Sequence, residues 1–141
     1  MLRFEWLKGS EDDLKRCFAL RRSVFVEEQG FQREFDETDK IAWHLLASDG
    51  ELPVGTARLY QQDGQWHVGR ICVIRPFRRR GYASAILAEV ERKCVELGGV
   101  QLTLSAQVRA KKLYENNGFQ ECSGIYLDEF CPHVRMEKRL G

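Results

Sequence analysis

The sequence predicts an α/β (α+β) fold, in which a mixed central sheet of about six or seven strands packs against about four helices. Between residues 41 and 74, three apolar runs are separated by two Asp-Gly dipeptides, at 49–50 and 63–64. Such dipeptides mark tight hairpin turns, so this stretch predicts a three-stranded antiparallel meander. From residue 81 the apolar residues recur at helical spacing until a Gly-Gly pair at 98–99 ends the pattern. A meander followed by alternating helices and strands indicates a mixed sheet.

The first half of the chain contributes a strand, a helix and the meander. Phe4 and Trp6 alternate with charged residues, which predicts a first strand. Ser10 and Asp13 have the spacing of a capping box, so a helix is predicted to begin there and to end before Gly30. Residues 31–40 are acidic and irregular, and are predicted to loop over a surface. The meander strands are predicted near residues 42–47, 54–60 and 66–74.

The second half alternates helices with strands. Helices are predicted over residues 81–97 and 108–116, with a strand over residues 100–106 between them. Two further strands fit residues 120–127 and 134–139. The predicted order is β-α-β-β-β-α-β-α-β-β, without repeats or linkers, which indicates a single domain over residues 1–141.

Composition and charge narrow the functional classes. The 141 residues carry a net charge of +1, so no overall charge favours nucleic acid or a membrane surface. The five cysteines are scattered and odd in number, and none has zinc-finger spacing, so neither a disulfide framework nor a metal is predicted. The N-terminus lacks the apolar core of a signal peptide, and no apolar run approaches the roughly 20 residues of a membrane span. We therefore expect a cytoplasmic protein.

A basic segment between a predicted strand and the long helix has the features of an anion-binding site. Residues 75–83 read RPFRRRGYA. A helix N-terminus offers unpaired N–H groups and a partial positive charge, which together suit phosphate. Gly81 lets the backbone approach a ligand closely, and the arginines add charge-assisted hydrogen bonds. A solvated basic turn is the alternative, but the order of strand, basic loop, glycine and helix favours a polyphosphate site.

Two motifs resemble the GNAT superfamily, the GCN5-related N-acetyltransferases. R-x-x-G-x-A, at residues 78–83, resembles the pyrophosphate signature of that family, and AKKLYENNGF, at residues 110–119, resembles its A-x-x-L-Y-E-K-x-G-F segment. Residues 21–29, 34–39 and 132–136 resemble the ElaA-like branch. One departure is Gln107, which stands where an Asn often precedes the last motif helix.

The resemblance implies a binding site for acetyl-CoA, the acyl donor, in a V-shaped opening between the fourth and fifth strands. The pantetheine arm would pair with the fourth strand, and the pyrophosphate would sit on the N–H groups of the basic loop. The residues implied for the donor are Ile71, Cys72, Val73, Arg78, Arg79, Arg80, Gly81, Tyr82, Ala83, Ser84, Gln107 and Tyr114.

The resemblance also suggests catalytic roles. Direct attack by an amine needs a base, an oxyanion donor and an acid for the leaving thiolate. A backbone N–H near Val73 is expected to stabilise the oxyanion. Tyr114 matches the position of the acid, and a phenol of pKa about 10 is protonated at neutral pH. Glu28 follows the first helix, in a region that lines the acceptor site in this family, and is predicted as base or amine contact.

His44 and His133 are further acceptor-site candidates, although a core histidine with a hydrogen-bond partner is the stronger interpretation for His44. A water chain could replace any single base. Cys72 has no predicted base beside it, so a covalent acyl-enzyme is disfavoured.

The expected activity is transfer of an acetyl group to a primary amine of a small molecule or protein. The acceptor itself is not readable from the sequence, although the acidic residues 34–39 favour a cationic one if they face the cleft. Two other functions share the basic loop: a non-catalytic CoA-binding or regulatory module, and a nucleic-acid-binding domain. A near-neutral charge and a single arginine cluster disfavour the latter. A homodimer is compatible with the family.

Overall fold

The structure, a computed structural model, describes residues 1–141 and contains eight strands and four α-helices. The strands are β1 (Leu2–Lys8), β2 (Trp43–Asp49), β3 (Leu52–Gln62), β4 (Gln65–Val73), β5 (Gln101–Gln107), β6 (Gln120–Glu121), β7 (Tyr126–Asp128) and β8 (Cys131–Arg139). The helices are α1 (Lys15–Arg21), α2 (Thr38–Ile41), α3 (Tyr82–Glu96) and α4 (Lys111–Asn116). None of these helices combines the length and apolar character that a membrane crossing requires.

The strands form one mixed sheet in the order β1-β2-β3-β4-β5-β8-β6, with β7 added to β8. Strands β1 to β4 are antiparallel neighbours, which confirms the predicted meander. Only the β4–β5 pair is parallel, and it is joined at two positions, Trp66 with Leu102 and His67 with Thr103. Beyond His67 the two strands separate, so the sheet is open at its centre.

Two apolar layers cover the sheet. On one face, α3 and α4 pack on a core that includes Ile86, Val90, Leu104 and Met136. On the other face, α1 and the following turns bury a smaller core, with Val24, Phe25 and Phe31 among its members. Side chains alternate between the two faces along each strand, so residues next to the core positions of β5 and β8 point to the face that α1 covers in part.

Several predicted boundaries were wrong. The first helix begins at Lys15, without a side-chain cap, because Asp13 accepts a hydrogen bond from the Lys15 N–H (2.9 Å) instead of forming a box with Ser10. It continues as a π-helix over Arg22–Glu28, which apolar periodicity did not predict. The single strand predicted over residues 120–127 is divided into β6 and β7, and the stretch 31–40 contains the start of α2.

Candidate active site

The opening between β4 and β5 is a cleft of about 570 Å³, lined by residues of both strands, the π-helix and α4; we refer to it as the central cleft. The register between β3 and β4 shifts beside Arg70, whose φ of 51° marks a β-bulge that turns β4 away from β5. The Ile74 N–H donates to Val54 on the β3 side (2.9 Å), whereas the Val73 carbonyl points away and accepts from Arg78 Nε (2.7 Å). Since N–H and C=O of one strand residue share a side, the Val73 N–H also points into the opening.

The loop before α3 presents six consecutive backbone N–H groups, those of residues 79–84, without an acceptor in the protein. The Ala85 N–H is the first to be satisfied, by the Gly81 carbonyl (3.1 Å). Arg79 and Gly81 have left-handed backbones, with φ of 65° and 77°. Alternating conformations of this kind turn successive N–H groups toward one point and form an anion-binding nest. Most of these loop residues, with Ala83 and Ser84, line a concavity of about 240 Å³ beside the central cleft.

The three arginines of the loop have different partners. Arg78 is held by Glu28 in a two-pronged contact, with both nitrogen–oxygen distances 2.7 Å. Arg80 lies over the Phe77 ring, 4.8 Å from its centroid, and Arg79 is exposed without an ionic partner. The Tyr82 hydroxyl donates to Asp49 (2.8 Å) and ties the start of α3 to β2. The backbone N–H groups of the loop are therefore free to bind a ligand. Of the arginine side chains, Arg78 is already paired with Glu28, so only part of the positive charge of the loop is free.

The two sequence motifs meet in space. Asn117, at the end of α4, donates to the Ser84 hydroxyl (3.1 Å) and to the Leu113 carbonyl (2.8 Å), which joins α4 to α3. Tyr114 is 9% exposed and lines the central cleft, and its hydroxyl has no hydrogen-bond partner in the protein. Burial, with a smaller contribution from Cys72, raises the pKa of Tyr114 to about 12. The phenol is therefore protonated at every physiological pH.

Glu28 and Gln107 are both engaged in the free protein. Hydrogen bonds from Arg78, and secondarily Arg75, lower the pKa of Glu28 to about 2, against the opposing effect of partial burial. This pairing weighs against Glu28 as a proton acceptor, and its role as base stays a prediction. Gln107 lines the cleft, where it donates to the Gln29 side chain and accepts from Arg109, each at 2.8 Å. One N–H and one oxygen lone pair of the Gln107 amide remain available for a ligand.

The comparisons with known proteins agree with this geometry. The model of the acetyltransferase (GNAT) domain matches residues 14–140. The Bacillus subtilis protein YjcF, named as an uncharacterized N-acetyltransferase, is 34% identical over 132 residues, which cover 92% of this chain and 94% of YjcF. The chain belongs to the GNAT acetyltransferase family.

Solved structures confirm the GNAT fold. Escherichia coli ElaA superimposes with a TM-score of 0.87 at 24% identity, over 98% of this chain and 99% of ElaA. An acyl-CoA N-acyltransferase from Pseudomonas aeruginosa gives the same TM-score, identity and coverage. At this identity the likeness concerns the fold alone.

The two histidine candidates lie in different surroundings. His133 of β8 lines the central cleft, and its Nδ1 lies 2.9 Å from the Cys131 carbonyl. A carbonyl only accepts, so Nδ1 carries the proton and Nε2 of the neutral ring has a free lone pair. Nε2 has no partner in the protein and keeps access to the cleft. His44 is fully buried instead, with Nε2 2.9 Å from the Asp39 carbonyl, and the structure does not bring it to the cleft.

Cys72 contributes its backbone to the cleft wall rather than a reactive thiol. Its side chain is buried on the α1 face, with the sulfur 3.9 Å from the Leu20 carbonyl. Burial raises the pKa of the Cys72 thiol to about 12, so the thiolate that nucleophilic catalysis requires is not formed at neutral pH.

The acidic stretch is neutralised by arginines, which changes its expected role. Arg21 pairs with Glu34 (2.9 Å) and Asp39 (2.7 Å), and Arg58 pairs with Asp36 (2.7 Å). Arg70 completes this network through Glu34 (2.9 Å). Although burial alone would raise the pKa of Asp39, Arg21 and Arg58 more than offset it and lower the pKa.

The expectation that residues 34–39 attract a cationic acceptor is therefore not supported, because three of their carboxylates are paired with arginines and the exposed Glu37 is paired with Lys40. The sequence did contain a signal for this network. Arg58 lies in the middle of an apolar strand, and a buried arginine there requires carboxylate partners. The protein has no group of three or more His, Cys, Asp or Glu residues that could hold a metal ion.

Proposed function

We propose that this GNAT protein transfers an acetyl group from acetyl-CoA to a primary amine. The observation that carries the proposal is the row of six unpaired N–H groups at residues 79–84, beside an opening in the sheet. This arrangement suits a pyrophosphate, because the N-terminal end of a helix and a nest of backbone donors both favour anions. The free strand edge of β4 next to it suits an extended amide chain such as pantetheine.

The donor would extend from the loop along β4, with its thioester near Val73. We propose that the Val73 N–H, which points into the opening, donates to the thioester oxygen as negative charge develops there. We propose that Tyr114, which lines the central cleft and is protonated at neutral pH, donates a proton to the leaving sulfur. Both groups are fixed by packed elements, so little reorganisation is needed during reaction.

We propose His133 as the base. The neutral ring presents the Nε2 lone pair to the cleft, while its Nδ1–H is anchored on Cys131. The ammonium of the acceptor gives a proton to Nε2, and the amine nitrogen then attacks the carbonyl carbon. The C–N bond forms, the C–S bond breaks, and the sulfur takes a proton from Tyr114. The nitrogen, cationic after attack, loses its second proton as the C–S bond breaks, and this proton restores the Tyr114 phenol. The proton held by His133 is then released to solvent. For Glu28, the bidentate contact favours a role in holding Arg78 against the cleft wall.

The first experiment is calorimetric titration of acetyl-CoA into the protein and into two glycine variants. Gly81→Asp adds a side chain and a negative charge among the loop donors. Gly64→Asp is the matched control, because Gly64 has a φ of 76° against 77° for Gly81, and a Cβ meets nothing within 4 Å at either position. Backbone strain is therefore similar, and only the location differs.

We expect binding by the native protein and by Gly64→Asp, and its loss in Gly81→Asp. Release of CoA in the presence of amines, measured with a thiol reagent, then tests the transfer itself. Absence of acetyl-CoA binding by the folded native protein would reject the proposal. Salt-sensitive binding of DNA or RNA in its place would favour the nucleic-acid alternative.

A further inference from the structure

The wall of the central cleft beyond His133 is polar, and its register is fixed by the sheet. On β5 the residues of the core face are Leu102, Leu104 and Ala106, so Thr103 and Ser105 point to the opposite face. Ser105 is paired with Arg135 of β8, and Thr103 with His67 of β4. The Ser105 hydroxyl is hydrogen-bonded to the Tyr126 hydroxyl, and Tyr126 stacks on the His133 ring. A hydrogen-bonding surface thus continues from the proposed base to Arg135.

The central cleft has an excess of positive charge. Six arginines and three carboxylates line it. Arg58, Arg70 and Arg78 form ion pairs with carboxylates. Of the three carboxylates that line the cleft, Glu34 also forms an ion pair, with Arg70. The Glu129 carboxylate caps the backbone N–H groups of residues 32 and 33 at 3.0–3.2 Å. The groups left without an ionic partner are Arg33, Arg109 and Arg135, against the two carboxylates of Asp128 and Glu129.

Arg135 is the free cation that lies on the same wall as the proposed base. It is two residues from His133 on β8, so both side chains point to the same face. Its guanidinium has no hydrogen-bond or ionic partner in the protein, although the backbone N–H is used by Ser123 (2.9 Å). Burial lowers the pKa of His67, which also lines the cleft, and the charge of Arg135 lowers it further.

We infer that the acceptor is an amine that also carries an acidic group, a carboxylate or a phosphate, and that Arg135 binds this group. The inference rests on the proposed acetyl transfer and specifies its substrate class. A guanidinium binds either anion through two parallel hydrogen bonds, and the neighbouring Ser105 and Tyr126 hydroxyls can complete the contact. An acceptor with amino groups alone, such as a polyamine, would bring more positive charge to a cleft that already has an excess.

The test compares acceptors that differ only in the acidic group. L-Phenylalanine is paired with phenethylamine, and O-phosphoethanolamine with ethanolamine, and spermidine represents the polyamines. For each, kcat/KM is measured from CoA release with the native protein, Arg135→Gln, Arg135→Lys and Arg139→Gln. Arg139 is the control, because it is an exposed arginine of the same strand that does not line the cleft.

We expect the acidic member of at least one pair to be preferred, and the better pair to identify carboxylate or phosphate. Arg135→Gln should lower kcat/KM for that acceptor about 10- to 100-fold, mainly through KM, as expected for loss of a charged hydrogen bond. The amine lacking the acid should be unaffected, and Arg139→Gln should behave as the native protein.

Two results would overturn the inference. Equal rates within both pairs, or a preference for spermidine that Arg135→Gln leaves unchanged, would show that Arg135 does not select the acceptor while acetyl transfer itself stands. Binding of acetyl-CoA without transfer to any of the five amines would instead reject the proposed function, and the inference with it.

Discussion

The arginines of this protein form two sets with the same chemistry and opposite surroundings. Arg78, Arg79 and Arg80 are consecutive and lie at the surface, beside backbone N–H groups that have no acceptor in the protein. Arg21, Arg58 and Arg70 come from α1, β3 and β4, and meet in the interior around three carboxylates. The contiguous set belongs to the loop whose backbone N–H groups are unpaired, whereas the dispersed set holds residues 34–39 in place. Arginines that are neighbours in the sequence therefore differ in role from arginines that only the fold brings together.

The largest effect should come from breaking the buried set. Arg21→Met removes the cation that Glu34 and Asp39 share in the interior. Arg70 and Arg58 still contact these carboxylates, so we expect the free energy of unfolding to fall by about 3 kcal/mol, at the low end for a broken buried pair. Urea denaturation measures this difference. Arg79→Gln, in the exposed set, should change it by no more than about 0.5 kcal/mol. Similar losses from both variants would remove the distinction between the two sets.

The stability of Arg21→Met should also differ from that of the native protein in its dependence on acid pH. The pKa of Asp39 is lower in the folded protein than its usual value of about 3.9. The stability that this carboxylate contributes is complete above that usual value, and it is lost as the pH falls through the folded pKa. The native protein should lose stability below about pH 4 more steeply than Arg21→Met, in which the pKa of Asp39 is no longer lowered to the same extent.

The contrast also explains which parts could be predicted from the sequence. The meander, α3 and the loop donors depend on local patterns: Asp-Gly turns, a 3.6-residue period and a glycine at a helix start. The central cleft depends on residues far apart in the chain, such as Glu28 with Arg78 and Ser105 with Arg135, which only the fold brings together. The π-helix was missed because its apolar spacing is close to that of an α-helix.

The next effect separates His133 from Glu28 as the base. His133→Gln should lower kcat by about 100-fold or more, in the range of general base catalysis, with little change in the KM for acetyl-CoA. Glu28→Gln should act mainly on the donor, because the contact it weakens is with Arg78 at the loop. A kcat that survives in His133→Gln and collapses in Glu28→Gln would restore Glu28 as the base.

A smaller effect on kcat is expected from removing the hydroxyl of Tyr114, the proposed proton donor to the leaving sulfur. Tyr114→Phe keeps the ring, which packs edge-on against Phe119 (6.1 Å), and removes only the hydroxyl. Since a thiolate leaves more readily than an amine, we expect kcat to fall about 10- to 100-fold, at the low end of acid catalysis. The pKa of about 12 keeps the phenol protonated below about pH 11, so the native rate should show no alkaline decline from Tyr114. An unchanged kcat in Tyr114→Phe would leave protonation of the sulfur to solvent.

The smallest effect is expected at the cysteines, where burial should make one thiol less reactive than another. Cys72 is buried with its pKa raised to about 12, whereas Cys122 is exposed. Iodoacetamide at pH 7.5 should therefore label Cys122 and leave Cys72 unmodified, as peptide mass spectrometry would show. Cys72→Ala should keep kcat within about twofold, because direct attack by the amine uses the backbone of β4 and not this sulfur. An acetyl group trapped on Cys72 after incubation with acetyl-CoA would contradict direct attack, since a buried and protonated thiol cannot accept it.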